Sequence, residues 1–276
     1  MIKNYLKIAW RNLVKDRVFT SINIVGLSIA FGVAILLAMA GFFDLSYDKF
    51  HVNAGQIYKV YSIDQTPKGP DASVSHPAPL MAALTAEVPG IKKASRYLQD
   101  ETIVSYGEKE INMDAVWVDT EFFNMFTFPA VQGKRDNMLN ELSSIVITQN
   151  TAKKLFGTDE AVGKTVQILI NGEDESFTVQ SVVENNVPQS SLEFELAVRF
   201  EKHEDYQENQ NAWNAKYHDV YVQMTEGVSP AQFEKATRSL IDINFKEQVE
   251  NAERDGAMPN SCLLYTSDAA DEYQRV

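Results

Sequence analysis

The stretch FGTDEAVGKT, residues 156–165, holds the residue types of a phosphate cradle. A G-x-x-x-x-G-K-[ST] loop wraps backbone amides around phosphates and reaches them with its lysine. Gly163, Lys164 and Thr165 fit that pattern, but Thr158 stands where the first glycine belongs and Gly157 lies one place early. The local order is also reversed. A phosphate loop leaves a strand and enters a helix, whereas here a helical pattern precedes Gly157 and a strand pattern follows Gly163. Asp159 and Glu160 would repel phosphate. The two glycines are read as shaping a helix-to-strand connection.

The other reactive residue types show no working constellation. His51, His76, His203 and His218 lack metal-ligand spacing such as H-E-x-x-H and read as surface or packing histidines. No serine stands in G-x-S-x-G. Acidic pairs such as Asp174/Glu175 and Glu204/Asp205 follow from composition and read as solvated surface. The single Cys262 excludes an intrachain disulfide and a multi-thiolate metal site. Trp117, Phe122, Phe123, Phe126 and Phe128 read as core, as do Trp213, Tyr217 and Tyr221. No catalytic, cofactor-binding or metal-binding residue is nominated.

Charge and hydropathy explain what the chain is built to do instead. The 276 residues carry a net charge of −13, which argues against a nucleic-acid binder. The charge is polarised. Residues 1–17 hold Lys3, Lys7, Arg11, Lys15 and Arg17 against Asp16 alone, and the remainder is net −17. Residues 18–43 then run for 26 positions without a charge. About 20 suffice to cross a bilayer as a helix. Its Ser, Thr and Asn can bond back to helix carbonyls. Ala38–Ala40 mimics a signal-cleavage site, but the apolar run exceeds the roughly 7–15 residues of a cleaved signal, so an uncleaved anchor is expected. The positive-inside rule puts the N-terminus in the cytoplasm and residues beyond 43 outside. Gly26, Ala30, Ala34 and Ala38 form a smooth stripe suited to another membrane helix. Within residues 2–14, Ile2, Tyr5/Leu6, Ala9/Trp10 and Leu13 share one helical face, with Lys3, Lys7 and Arg11 on another. That pattern suits a helix on the cytoplasmic membrane surface or against a cytoplasmic partner.

Beyond the span the patterns are mixed. Residues 56–63 alternate as a strand, broken by TPKGPD. Pro77 and Pro79 open a helix over about 78–88. A strand–turn–strand covers 101–118 around Gly107. A short helix spans 120–128, and a strand at 143–148 leads into a helix capped by Gly157. Residues 164–170 and 176–185 flank NGED as a hairpin. Strands follow at 191–200 and 218–224. From 229 a helix starts with Ser229 as cap, Pro230 at its first position and Gln232 closing a capping box. Phe233, Ala236/Thr237, Leu240 and Ile243/Asn244 continue at helical spacing, with Phe245 beyond. The expected fold class is α+β: an amphipathic helix, one transmembrane helix and a mixed domain with room for two subdomains.

Several stretches together resemble the N-terminal part of an ABC-transporter permease of the MacB/FtsX-like class, Bacteroidetes type. They are YLKIAWRNLVKDRVFTSINIVGLSIAFG, DKFHVNAGQIYKVY, AVWVDTEFFNMFTFPAVQG, SSIVITQNTAKKLFGTDEAVGKTV and FTVQSVVENNVPQSSLEFELAV. The resemblance covers about 1–250. It implies a cytoplasmic amphipathic helix over 1–17, the span over 18–43 and a MacB-like periplasmic domain over 44–250. It also implies an inner-membrane location, a separate cytoplasmic ABC ATPase that binds the ATP, a permease dimer or pseudo-dimer, and an envelope or outer-membrane partner. No catalytic residue is implied in this region. Tyr5–Val14 would be the coupling face and Gly26–Ala38 part of a helix interface. Members of the class carry three further spans, and none follows residue 43 here. Residues 251–276 form a tail that leaves the family pattern, and from about 261 it reads as non-native, resembling translated adapter sequence. Two rival readings are a single-span anchored binding or sensor module and an extracytoplasmic enzyme.

Overall fold

A computed structural model describes residues 2–66, 69–135, 138–244 and 262–266, which fall into two compact units divided after Tyr47. The first unit is two helices. Helix α1 spans Ile2–Lys15 and α2 spans Arg17–Asp44. Asp16 between them departs from helical geometry, with φ −105° and ψ 61°. At 1.5 Å per residue, 28 residues extend about 42 Å, enough to cross a hydrocarbon core with a margin at each end. Ser28 Oγ donates to the Ile24 carbonyl at 2.7 Å, so this hydroxyl is satisfied within its own helix.

The second unit starts at Asp48. Strand β1 (Ile57–Thr66) returns through β2 (Gly69–Ser73) and the two-residue β3 (His76–Pro77) to helix α3 (Leu80–Glu87). Pro79 caps α3 and the helix stops at Val88, within a residue or two of expectation. The long β4 (Ile91–Tyr106) turns at Gly107, which has φ +61°, into β5 (Lys109–Val118). Then come α4 (Phe122–Met125), β6 (Ala130–Gln132), β7 (Ser144–Thr148), α5 (Gln149–Phe156), β8 (Thr165–Ile170) and β9 (Glu173–Val183). Asn171 and Gly172 both have positive φ between β8 and β9, the requirement of a tight hairpin turn. The chain ends through β10 (Leu196–Arg199), α6 (Tyr206–Asn209), β11 (Lys216–Met224), α7 (Pro230–Asn244) and β12 (Cys262–Thr266). Phe245 and the tail apart from 262–266 lie outside the described residues. The strand at 191–200 shortens to four residues, because its first half follows the loop that precedes β10.

Two sheet arrangements share β4. At one end the order is β12-β1-β11-β4, every neighbour antiparallel. With α3 joining β1 to β4 and α7 joining β11 to β12, this is the split βαβ arrangement of ferredoxin-like folds. Both helices cover one face, where Leu80, Leu84, Phe233, Leu240 and Ile241 meet Val60, Ala94, Val220 and Val222. At the other end β4 pairs β5 and also β8. Continuing through β5-β10-β7-β9-β8, the strands return to β4 and close a six-stranded barrel. Closure leaves no free edge in that ring. Alternate residues point inward: Met113, Ala115 and Trp117 from β5, Ile145 and Ile147 from β7, Val166 and Ile168 from β8, Phe177 and Val179 from β9. The opposite face of β5, β7 and β10 carries Val116, Val118, Val146 and Ala197, covered by Phe122, Phe123, Phe126 and Phe128.

Where the two sheets meet, Arg96 is buried. Its guanidinium grips Asp119 (Nε–Oδ2 3.0 Å, Nη2–Oδ1 2.5 Å) and lies 4.1 Å over the Phe200 ring. Burial alone would lower its pKa, but the hydrogen bonds and charges of Asp119, with Glu201 adding to them, raise it.

Candidate functional site

The phosphate-loop residues are placed as a connection. Gly157 ends α5 in the left-handed region (φ +70°, ψ +10°), and its N–H donates to the Lys153 carbonyl. Gly163 (φ +84°) leads into β8. Lys164 Nζ sits 4.8 Å from the centroid of the Phe156 ring, and Asp159 pairs with Lys153 at 3.3 Å. Lysine and acid are thus held locally, and the helix precedes the strand.

All four histidines are buried, and His76 and His218 are paired across β3 and β11. His76 Nε2 lies 3.0 Å from the Val60 carbonyl. His51 Nδ1 accepts from the Thr127 N–H at 2.9 Å, and burial, opposed by Asp48, lowers its pKa to about 4. His203 packs edge-on to Trp117, and burial lowers it too, against the nearby Asp205 and Asp100. Burial, then Arg96, pushes His218 down to about 2. Among the described residues no three His, Cys, Asp or Glu side chains converge as metal ligands. The aromatics are core residues, as expected, but they do not form one cluster. Trp117 fills the barrel while the four Phe rings pack outside it. Tyr221 joins the Phe cluster, Tyr217 borders the barrel interior, and Trp213 lies against the α3/α7 layer.

The residues that remain as a functional surface are in the helical arm. Tyr5, Ile8, Trp10, Leu13 and Val14 on α1 are exposed, Tyr5 and Trp10 by about 70% (69% and 70%). Along α2 no residue is buried, and the stripe of Gly26, Ala30, Ala34 and Ala38 is bare. A Cβ placed on Gly26 would meet nothing within 4 Å. Large exposed apolar surface of this extent marks a membrane or protein contact, and a charge-free helix of this length matches a bilayer.

An apolar helical arm leading into a ferredoxin-like sheet and a closed barrel defines a membrane-anchored α+β extracytoplasmic domain. The profile of the MacB-like periplasmic core domain matches residues 20–240, and the chain belongs to that family. Among solved structures, a domain assigned to a permease protein from Porphyromonas gingivalis is similar, with a TM-score of 0.68 and 18% identity over 83% of this chain and 100% of that one. The periplasmic region of MacB from Actinobacillus actinomycetemcomitans aligns with a TM-score of 0.49 and 14% identity, covering 79% of this chain and 93% of that one. The extracellular domain of the noncanonic ABC-type transporter YknZ from Gram-positive bacteria gives 0.49 and 16%, covering 75% and 98%. No curated protein matches the chain.

Proposed function

We propose that this chain is the first membrane helix and periplasmic domain of an ABC-type permease, relaying the work of a cytoplasmic ATPase to the extracytoplasmic side. One observation carries the reading. An amphipathic helix with an exposed Tyr5–Val14 face is joined through the single residue Asp16 to the membrane helix. With a single residue between them, displacement at α1 is passed to α2. ATP is bound by the partner, and the periplasmic domain does mechanical work in export, lipoprotein extraction or signal transmission. The Gly26–Ala38 stripe serves a permease dimer or pseudo-dimer, and the distal domain meets an envelope or outer-membrane partner. Family membership and the resemblance of residues 5–32 to permease N-termini support this reading.

The test is a photo-crosslinking amino acid at Tyr5 or Trp10, introduced into the chain in its native membrane. The expected adduct is a protein carrying a complete G-x-x-x-x-G-K-[ST] loop. Adducts with lipid alone, or with no nucleotide-binding protein, would remove the ATPase-coupled reading and favour the anchored sensor.

A further inference from the structure

The stretches DKFHVN and VPQSS are far apart in sequence, and the fold brings them together. We infer that residues 48–53 form a strap that carries displacement at the N-terminal end of the domain straight to the barrel. The inference rests on the coupling role proposed above.

Six hydrogen bonds fasten the strap. The Asp48 N–H donates to the Gln189 carbonyl at 2.9 Å. Its carboxylate accepts from the Ser191 N–H at 2.9 Å and from Ser191 Oγ at 2.5 Å. Thr127 N–H donates to His51 Nδ1, and the Val52 N–H donates to Thr127 Oγ1, both at 2.9 Å. Asn53 Nδ2 reaches the Met125 carbonyl at 3.3 Å. The His51 ring is buried between Phe50, Phe126 and Phe128, with centroids 4.1, 5.1 and 5.7 Å away. Asp48 holds a left-handed backbone, φ +56°, rare for a residue with a side chain. The bonds to Gln189 and Ser191 hold it there.

The loops that receive the strap matter more than the number of bonds. Gln189 and Ser191 lie between β9 and β10, and both strands belong to the closed barrel. Met125 and Thr127 frame the aromatic layer on the barrel's outer face. The covalent path from Asp48 goes elsewhere: through residues 54–56 into β1, a strand of the ferredoxin-like sheet. Load arriving at Asp48 therefore has two routes, and the strap supplies the one into the barrel. A chain merely leaving a membrane helix requires none of these contacts.

The full chain in nanodiscs, with Cys262→Ser as background, offers a direct measurement. Tyr47→Cys and Glu108→Cys provide handles before the strap and at the exposed β4–β5 turn, for pulling in magnetic tweezers. The expected trace has a separate early step of about 20 Å, the length of six extended residues, preceding barrel unfolding. Asp48→Ala/Ser191→Ala should abolish that step or lower its force by roughly half or more. Thr127→Val, which removes only the acceptor for Val52, should lower it less. If the early step is absent from the parent protein, or survives unchanged in the double variant, the strap does not carry force into the barrel. If the double variant fails to fold, Thr127→Val decides: an unchanged step overturns the inference. Because the chain is pulled alone, such a failure leaves the ATPase crosslink standing, and a missing crosslink leaves the strap's mechanics measurable.

Discussion

His51 shows how one side chain couples packing to protonation. Its Nδ1 accepts from a backbone N–H, so the neutral ring carries its proton on Nε2, which faces the Asp48 carboxylate at 3.9 Å without a hydrogen bond. Desolvation dominates, and the folded pKa falls to about 4 from an ordinary value near 6.5. The sign follows from proton counting. As pH falls through about 6.5 the unfolded chain takes up the proton and the folded one does not, so stability drops until about pH 4. The slope from one such histidine is at most about 1.4 kcal/mol per pH unit. His218, lowered to about 2, adds a slope that continues further into acid. We predict that His51→Asn, whose side-chain carbonyl can replace Nδ1 as acceptor, flattens part of the decline between pH 6.5 and 4. Urea unfolding midpoints of the two proteins across that range measure it. Parallel curves would show that His51 does not titrate as its burial requires. The histidines' interior placement was not readable from spacing, because only the tertiary fold buries them.

At the scale of elements, the sequence was most legible where a local signal was complete. The Ser229/Gln232 capping box is present: Gln232 N–H donates to Ser229 Oγ and Ser229 N–H to Gln232 Oε1. Thr148 accepts from Thr151 N–H at the start of α5, and Gly157 closes it. The first half of β4 was illegible because its buried Arg96 and Ser95 interrupt the apolar pattern, and the partners that make Arg96 tolerable inside, Asp119 and Glu201, lie 23 and 105 residues on. The strap was equally hidden. DKFHVN has no period, and its Ser191 partner lies 143 positions away. Two glycines test how far local reasoning goes. At Gly157 a Cβ would meet nothing within 4 Å, so Gly157→Ala carries only the left-handed backbone penalty, roughly 1 kcal/mol. At Gly133, φ +85°, a Cβ would fall 2.5 Å from Ser181 Oγ and 2.6 Å from the Gln180 carbonyl. We expect Gly133→Ala to cost more than Gly157→Ala by at least about 1 kcal/mol, since β9 backbone must move. Equal melting temperatures for the two variants would show that β6 yields instead.

For the whole molecule, the basic tip, the apolar helix and the acidic body make one electrostatic argument. Asp44 closes α2 at one end and Lys15 and Arg17 flank it at the other, with five basic residues before the span and a body of net −17 after it. Short basic flanks resist translocation, and the positive-inside rule predicts α1 inside and the barrel outside. That orientation is what the proposed coupling role requires, because in it α1 reaches a cytoplasmic ATPase while the domain works beyond the membrane. A Cys262→Ser chain with a single new cysteine at the exposed Lys92 or Lys7 positions reports it directly. An impermeant maleimide should label Lys92→Cys in spheroplasts and leave Lys7→Cys unlabelled until the membrane is opened. Reversing two or more of the N-terminal charges, for instance Lys7→Glu with Arg11→Glu, should shift part of the population to the opposite pattern. If Lys7→Cys labels in intact spheroplasts, α1 lies on the wrong side to meet an ATPase. With one span between α1 and the domain, the domain would then lie in the cytoplasm, and the coupling and envelope-sensor readings would both fail.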